Sequence, residues 1–350
     1  MFERNYKHIL QELQAFQRPS VLIALAELDL ATTLLRLGNC SSAQELAVVT
    51  GCDCRAMDIL LDALAALGYF RKASEDGISR YSVPEQWHQL LDSTHPHSVI
   101  TYIRHMGSLQ RSWINLARAV REGRPQNVPS GILSSDEERV AFIMAMNSIG
   151  QGLHSKVLDA LRGAGAMPMP TARILDVGGG SGTYAEAFLK ALPEARLTLF
   201  DLPSGVAQAR RRVGDNRRIK FVSGDFMKDE LPSGMDYAWV SAIIHQMNRQ
   251  ECITFFGKIF RALNSGAIIA VRDYVMAENR LNPVEGTLFG INMLMRTATG
   301  RVYTYEEIKA DLEQAGFTDV RYAVPDSSMG AVVTAVKAPK KLEQGFPVPN

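Results

Sequence analysis

The chain has 350 residues, of which 46% are hydrophobic and 21% charged, with a formal net charge of +1. That length suits two domains, each able to bury its own core, and the mix is that of a globular rather than a disordered protein. Near-zero charge rules out a global field drawing the chain to nucleic acid or acidic membrane, so partners must be argued from local sites.

Residues 1–17 mix Glu3, Arg4, Lys7 and Glu12 with scattered apolar residues and lack a secretory h-region. No stretch approaches the roughly 20 apolar residues of a membrane span. Cys52 and Cys54 form a C-x-C without a second pair or nearby histidines, so neither zinc nor any other metal is expected. Few cysteines and no leader point to the cytoplasm.

Residues 19–37 carry Leu22, Leu25, Leu28, Leu30 and Leu34 near helical spacing. Ser41 and Ser42 then open a helix over 43–49, ended by Gly51. Asp53 caps the next one, whose Met57, Leu60, Leu61, Leu64 and Leu67 form an apolar stripe closed by Gly68. Tyr69 and Phe70 start a strand, Asp76-Gly77 turns, and residues 80–83 return. Helix, turn, helix and hairpin spell a winged helix. Its second helix presents Asp53, Arg55, Asp58 and Asp62, three acids against one base. Phosphate contacts demand the opposite sign, so an oligomerisation module is expected rather than a DNA reader. A further helical stretch covers 99–122, a linker 123–131, and a helix 137–161 with Phe142, Met146 and Leu153 on one side.

From residue 172 short β-rich runs alternate with helices, the mark of a parallel sheet with crossovers. Strands are expected at 172–177, 196–201, 220–222, 237–241 and 267–273, with a last pair at 319–323 and 330–336. Helices are expected at 184–191, 205–213, 249–263 and 305–315. The fold class is therefore a Rossmann-type α/β domain behind a helical one, with domains at 1–125 and 126–340 and a loose tail at 341–350.

The strongest motif is Ile174-Leu175-Asp176-Val177-Gly178-Gly179-Gly180-Ser181-Gly182, a buried strand running into a glycine-dense turn. Glycine there lets the backbone approach a ligand, and the following helix N-terminus offers free N–H groups. The third glycine falls one place short of G-x-G-x-x-G, leaving Thr183 in its slot, which disfavours a dinucleotide oxidoreductase. Asp201, closing the second strand, can accept from both hydroxyls of a ribose. After the third strand, Gly224-Asp225-Phe226 offers a carboxylate and a ring for an adenine.

On these residues the chain resembles the class I S-adenosylmethionine (SAM)-dependent methyltransferases, specifically the two-domain small-molecule O-methyltransferases of caffeate, acetylserotonin and bacterial polyketide type. The likeness covers nearly the whole chain and implies a dimerising N-terminal half and a seven-stranded sheet. By it, Asp176, Gly178, Gly180 and Gly182 line the methionine end of SAM, Asp201 and Leu202 the ribose, and Asp225 and Phe226 the adenine. Ser241 stands where many plant relatives have a lysine that helps to position SAM. The resemblance makes His245 the general base and Asp273 the acid that orients it. It places an acceptor pocket between the halves, with Met146 and Ile149 on one wall and Asn292, Met293, Arg296 and Thr297 on the other. Arg296 could bind an acceptor carboxylate or simply face solvent.

The base has a chemical rationale. Phenols have pKa values of about 10, so their deprotonation at pH 7 costs about 4 kcal/mol without assistance. A histidine, with an ordinary pKa of about 6.5, can take that proton during in-line attack on the sulfonium methyl. Where relatives carry an L-H-D-W-like signature this chain has Ile244-His245-Gln246-Met247, and Val302 replaces a second acid of the plant pattern. O-methylation of a small, aromatic, hydroxylated metabolite is the expected reaction. C-methylation of a phenolic ring, or a SAM-binding role without methyl transfer, is the alternative. A homodimer without nucleic-acid or membrane partners is implied.

Overall fold

The computed structural model describes residues 2–125 and 153–339. They fall into two compact units that meet in sequence between Ser112 and Trp113.

The first unit opens with α1 (Phe2–Gln14), α2 (Gln17–Glu27) and α3 (Leu30–Arg36). The leucine-rich run expected at 19–37 is broken because Asp29 adopts φ +50°, ending one helix and starting the next at a new angle. A two-residue strand, β1 (Ser41–Ser42), leads into α4 (Ala43–Thr50). Ser42 and Glu45 form a complete capping box, and Gly51 closes the helix in the left-handed region. Asp53 caps α5 (Cys54–Ala66) by accepting from the Ala56 N–H at 2.8 Å. Then β2 (Arg71–Glu75) and β3 (Ile78–Ser82) pair across Asp76-Gly77, and β1 adds to β3.

The acids of α5 do not form a free face. Asp58 and Asp62 both accept from the Tyr81 hydroxyl, and Asp62 also pairs with Lys72 at 2.5 Å. They therefore fasten α5 to the hairpin. The core beneath is Leu25, Leu30, Leu34, Leu46, Leu61, Leu64 and Phe70. Two more helices follow, α6 (Glu85–Leu91) and α7 (Ile100–Trp113), and the next, α8 (Leu116–Glu122), belongs to the second unit.

The second unit is built on one sheet. Its elements run α9 (Leu153–Gly163), β4 (Arg173–Val177), α10 (Thr183–Ala191), β5 (Arg196–Asp201), α11 (Pro203–Val213), β6 (Ile219–Ser223) and β7 (Met235–Ser241). They continue with α12 (Arg249–Ala262), β8 (Leu263–Arg272), β9 (Val275–Met276), α13 (Val284–Arg296), β10 (Tyr303–Thr304), α14 (Tyr305–Gln314), β11 (Thr318–Val324) and β12 (Val332–Val336). Seven strands lie in the order β11-β12-β8-β7-β4-β5-β6, with β12 antiparallel to both neighbours and the rest parallel. The expected strands are all present, within a few residues at their ends. Helix α13 and the short β9–β10 pair lie outside the elements read from the sequence.

Alternation along the strands splits the core into two layers. Leu175, Val177, Ala238 and Val240 pack against Phe255, Phe256, Ile259 and Leu312 of α12 and α14. Ile174, Tyr237 and Trp239 pack the other way, against Leu161, Phe188 and Val206 of α9, α10 and α11. The chain leaves β4 toward β5 on one side and reaches β7 on the other. That reversal opens a crevice at the C-terminal ends of β4 and β7, where open α/β sheets bind ligands. The glycine bend follows β4 and His245 follows β7.

Candidate active site

The crevice begins with the glycine bend. Gly178, Gly180 and Gly182 have φ of +68°, +54° and +74°. A Cβ on Gly178 would fall 2.5 Å from Ile243 Cδ1, so a side chain there is excluded by space as well as by conformation. Above Gly180, by contrast, no atom of the described residues other than its chain neighbours lies within 4 Å of where a Cβ would be. The bend thus presents bare backbone.

Beneath it lies Asp176, 2% exposed, whose Oδ2 sits 2.8 Å from the Cβ position of Gly179. That oxygen is buried without a hydrogen-bond partner among the described residues. Burial pushes the Asp176 carboxyl up to about 7, and the neighbouring Asp201 charge adds to the rise. Asp201, at the end of β5, accepts from the Gly180 N–H at 2.7 Å and from the Leu202 N–H at 2.6 Å. Burial raises this carboxyl too, and the two backbone bonds work against the rise. A Cβ on Gly205 would meet the Asp201 carboxylate at 2.6 Å, so α11 must carry glycine there.

Phe226 lies 4.0 Å from the Cβ position of Gly178 and packs on Phe255 with ring centroids 5.0 Å apart. Asp225 accepts from the Met227 N–H at 2.9 Å and pairs with the exposed Lys228 at 3.1 Å. The loop holding both is tied down from below. Lys258 of α12, 7% exposed, donates to the carbonyls of Phe226, Met227 and Asp229 at 2.9–3.0 Å. Asp176, the glycines, Asp201, Leu202 and Phe226 therefore stand around one bend, and sequence reasoning passed over Lys258.

On the other side of the crevice, β7 ends at Ser241 and Ala242 takes φ +58°, an uncommon conformation that turns the chain into the short helical turn Ile244–Gln246. His245, 6% exposed, projects from that turn toward Asp273, 1% exposed, which follows β8. Its Nδ1 lies 2.8 and 2.9 Å from the two Asp273 oxygens. Asp273 accepts in addition from the Tyr274 N–H at 2.8 Å. A carboxylate against Nδ1 requires the proton there and leaves Nε2 as the basic nitrogen. The turn itself is pinned by Tyr303, which donates to the Met247 carbonyl at 2.5 Å, and by the Cys252 thiol, which donates to the Ile244 carbonyl at 3.6 Å. Phe289 of α13 stands edge-on to the imidazole at 4.8 Å, with Tyr274 beside it at 5.2 Å.

Helix α13 also carries the expected acceptor residues. Asn292 accepts from the Trp113 indole N–H at 2.5 Å, and Met293 is buried. Arg296 is half-buried. The Thr297 hydroxyl donates to the Met293 carbonyl at 2.7 Å and accepts from the Gly300 N–H at 2.9 Å, so its bonding capacity serves the helix end. Met146 and Ile149 lie outside the described residues. Val302, which replaces the second acid of the plant pattern, is buried.

An adenosyl sulfonium with a zwitterionic methionyl end fits these residues. Bare backbone at Gly180 admits the ligand, Asp201 faces the bend, Phe226 offers a ring face, and the unpaired Asp176 oxygen can accept from an ammonium. When bound, SAM would supply the electrophilic methyl group.

Known proteins agree. An O-methyltransferase domain model matches residues 113–318, and an O-methyltransferase dimerisation domain matches residues 10–86. The acetylserotonin O-methyltransferase of Gallus gallus is 30% identical, covering 89% of this chain and 92% of that protein. The tetracenomycin polyketide synthesis 8-O-methyl transferase of Streptomyces glaucescens is 31% identical, covering 96% and 95%. The crystal structure of human N-acetylserotonin methyltransferase in complex with SAM superposes with a TM-score of 0.81 at 26% identity, covering 95% of this chain and 98% of that one. With the catalytic model spanning more than half of its length, the chain belongs to the SAM-dependent O-methyltransferases that carry their own dimerisation domain.

Proposed function

We propose that this enzyme transfers the methyl group of SAM to a hydroxyl of a small aromatic metabolite, with Nε2 of His245 as general base and Asp273 as its positioning partner. The observation that carries the reading is the buried His245–Asp273 contact at 2.8 Å, at the end of the strand next to the glycine bend. Asp273 fixes the tautomer and favours the imidazolium formed as the acceptor loses its proton. The aromatic flank of Phe289 and Tyr274 supports a flat acceptor. Asn292, Met293, Arg296 and Thr297 are proposed to line its site from α13.

SAM is held by Asp176, Gly178, Gly180 and Gly182 at the methionyl end, by Asp201 and Leu202 at the ribose, and by Asp225 and Phe226 at the adenine. The matched dimerisation domain supports a homodimer, and the winged-helix arrangement of α4, α5 and the hairpin is proposed to serve it. Among the described residues no helix is long and apolar enough to cross a membrane. Four free cysteines support a reducing, cytoplasmic setting.

The test combines methyl-labelled SAM with a panel of phenols, hydroxylated amino acids and quinols, followed by mass spectrometry of the products. On an acceptor so found, His245→Ala is expected to lower turnover by about 100-fold or more with unchanged affinity for S-adenosylhomocysteine. Equal turnover by variant and parent would remove the base assignment.

A further inference from the structure

One face of the sheet concentrates polar groups of which the reading above uses Asp176 alone. Alternation places Asp176 of β4, Trp239 and Ser241 of β7 and Arg272 of β8 on the side covered by α9, α10 and α11. Tyr184 of α10 bridges them. Its ring lies 4.9 Å from that of Trp239, the Arg272 guanidinium lies 5.5 Å over it, and His154 of α9 meets it edge-on at 4.8 Å.

Five side-chain atoms in this unit are buried without a hydrogen-bond partner among the described residues: Asp176 Oδ2, Tyr184 OH, Arg212 Nη2, Trp239 Nε1 and Arg272 Nε. A buried polar group without a partner is costly, so a cluster of them points to a polar ligand. Its composition is informative. The indole and both guanidinium atoms can only donate, and the carboxylate is the sole obligate acceptor. Donors in excess, set beside one carboxylate under the glycine bend, are the complement of an α-amino acid zwitterion.

The cation in this set can be singled out. Arg212 is already neutralised by Glu186 at 2.5 Å and donates to the Ser181 carbonyl at 2.7 Å. His154 is held neutral, its pKa pressed down to about 4 first by burial and then by Arg272 and Arg212. Arg272, 7% exposed, has no ion-pair partner among the described residues, and its Nη1 donates to the Ser241 hydroxyl at 2.9 Å.

We propose that Arg272 binds the α-carboxylate of the methionyl group of SAM, with the Tyr184 hydroxyl and the Trp239 indole as accessory donors. It brings positive charge from β8 to the face that Ser241 and Trp239 of β7 share. The assignment rests on SAM being the ligand of the crevice. It makes Arg272 a binding residue for the amino-acid end alone, with no part in holding the nucleoside.

That separation sets the test. Wild-type protein and Arg272→Met are titrated calorimetrically with S-adenosylhomocysteine and with 5′-deoxy-5′-methylthioadenosine, which keeps the nucleoside and lacks the amino acid. Arg272→Met is expected to weaken S-adenosylhomocysteine by about 30-fold or more and methylthioadenosine by less than about threefold. Adding Ser241→Lys to Arg272→Met is expected to recover much of the lost affinity for S-adenosylhomocysteine alone. Equal weakening of both ligands, or of neither, overturns the assignment while the SAM reading stands. Failure of the wild-type protein to bind S-adenosylhomocysteine overturns the SAM reading and this inference with it. Should Arg272→Met not fold, the same comparison is made with Arg272→Lys, which keeps the charge on a shorter reach. A loss confined to S-adenosylhomocysteine supports the assignment, and a loss shared by both ligands sinks it.

Discussion

Gly300 packs so closely on the turn that carries His245 that a Cβ there would collide with the backbone carbonyl oxygen of that residue, and would lie 2.5 Å from Thr297 Oγ1. Backbone and a fully bonded hydroxyl cannot give way as the end of a flexible side chain can. Gly300→Ala must therefore shift the His245 turn or the end of α13. Because catalysis depends on alignment within fractions of an ångström, a turnover loss of about tenfold or more is expected. Binding of S-adenosylhomocysteine should be unchanged, since the atoms nearest a Cβ on Gly300 belong to His245, Gln246 and Thr297. Steady-state kinetics beside calorimetry check this, and parental turnover would show that the His245 turn tolerates displacement.

Asp273→Asn tests the pair from its other end. The amide is nearly isosteric, so the fold should survive. It can, however, present its NH2 to Nδ1 and so favour the tautomer with the proton on Nε2, the nitrogen that must accept. Turnover is expected to fall by about 100-fold or more, with little change in KM for SAM. A variant that keeps more than about a third of the parental turnover would show that the carboxylate does not set the tautomer.

Asp176 makes stability depend on pH in the ligand-free protein. Its carboxyl moves from an ordinary value of 3.8 to about 7 on folding. The folded state therefore holds a proton that the unfolded chain releases, and the associated stability is present at low pH and lost as pH rises through about 4 to 7. Three units correspond to on the order of 4 kcal/mol. Asp176→Asn has no charge to bury, so its melting temperature should match the parent near pH 4 and exceed it by roughly 5 °C or more at pH 8. Scanning fluorimetry across that range reads the difference. A gap independent of pH would mean that Asp176 is ionised in the folded protein.

Much of this was legible in the sequence, and the reasons are specific. The strand at Arg196–Asp201 was readable to the residue because an apolar run ends on an acid, and the caps at Ser42 and Asp53 because side-chain chemistry fixes them locally. Asp29 was not, since a left-handed aspartate within a leucine-rich run leaves no local signal. Helix α13 escaped as an element because Asn282-Pro283 precedes it and its apolar residues read equally well as pocket lining. Asp58 and Asp62 looked like a free acidic face because their partners Tyr81 and Lys72 come from a different element. Arg272 and Lys258 were invisible for the same reason. Within a strand or a helix they are ordinary charges, and only the packed sheet shows that both are buried and what each one faces.

Lys258 allows the proposed nucleoside end of the site to be tested apart from the proposed amino-acid end. A buried ammonium that donates to the carbonyls of Phe226, Met227 and Asp229 fixes the backbone of the loop on which Asp225 and Phe226 stand. The loop's own bonds tie its N–H groups to Asp225 and Asp229, and the cation satisfies three of its carbonyls, which lie outside any strand or helix. Lys258→Met keeps the length and apolar stem but removes all three donors and leaves their acceptors unmet, at a cost of about 1–3 kcal/mol each unless water reaches them. The melting temperature should fall, and at a temperature where the variant remains folded the loop should be less ordered. Adenine binding then carries the entropy of ordering it. S-adenosylhomocysteine and methylthioadenosine are accordingly expected to weaken together, by about tenfold each, in contrast to the selective loss predicted for Arg272→Met. If methylthioadenosine binds the folded Lys258→Met variant as tightly as the parent, the Phe226 loop does not hold the adenine and the nucleoside must be gripped by the Asp201 side of the crevice alone.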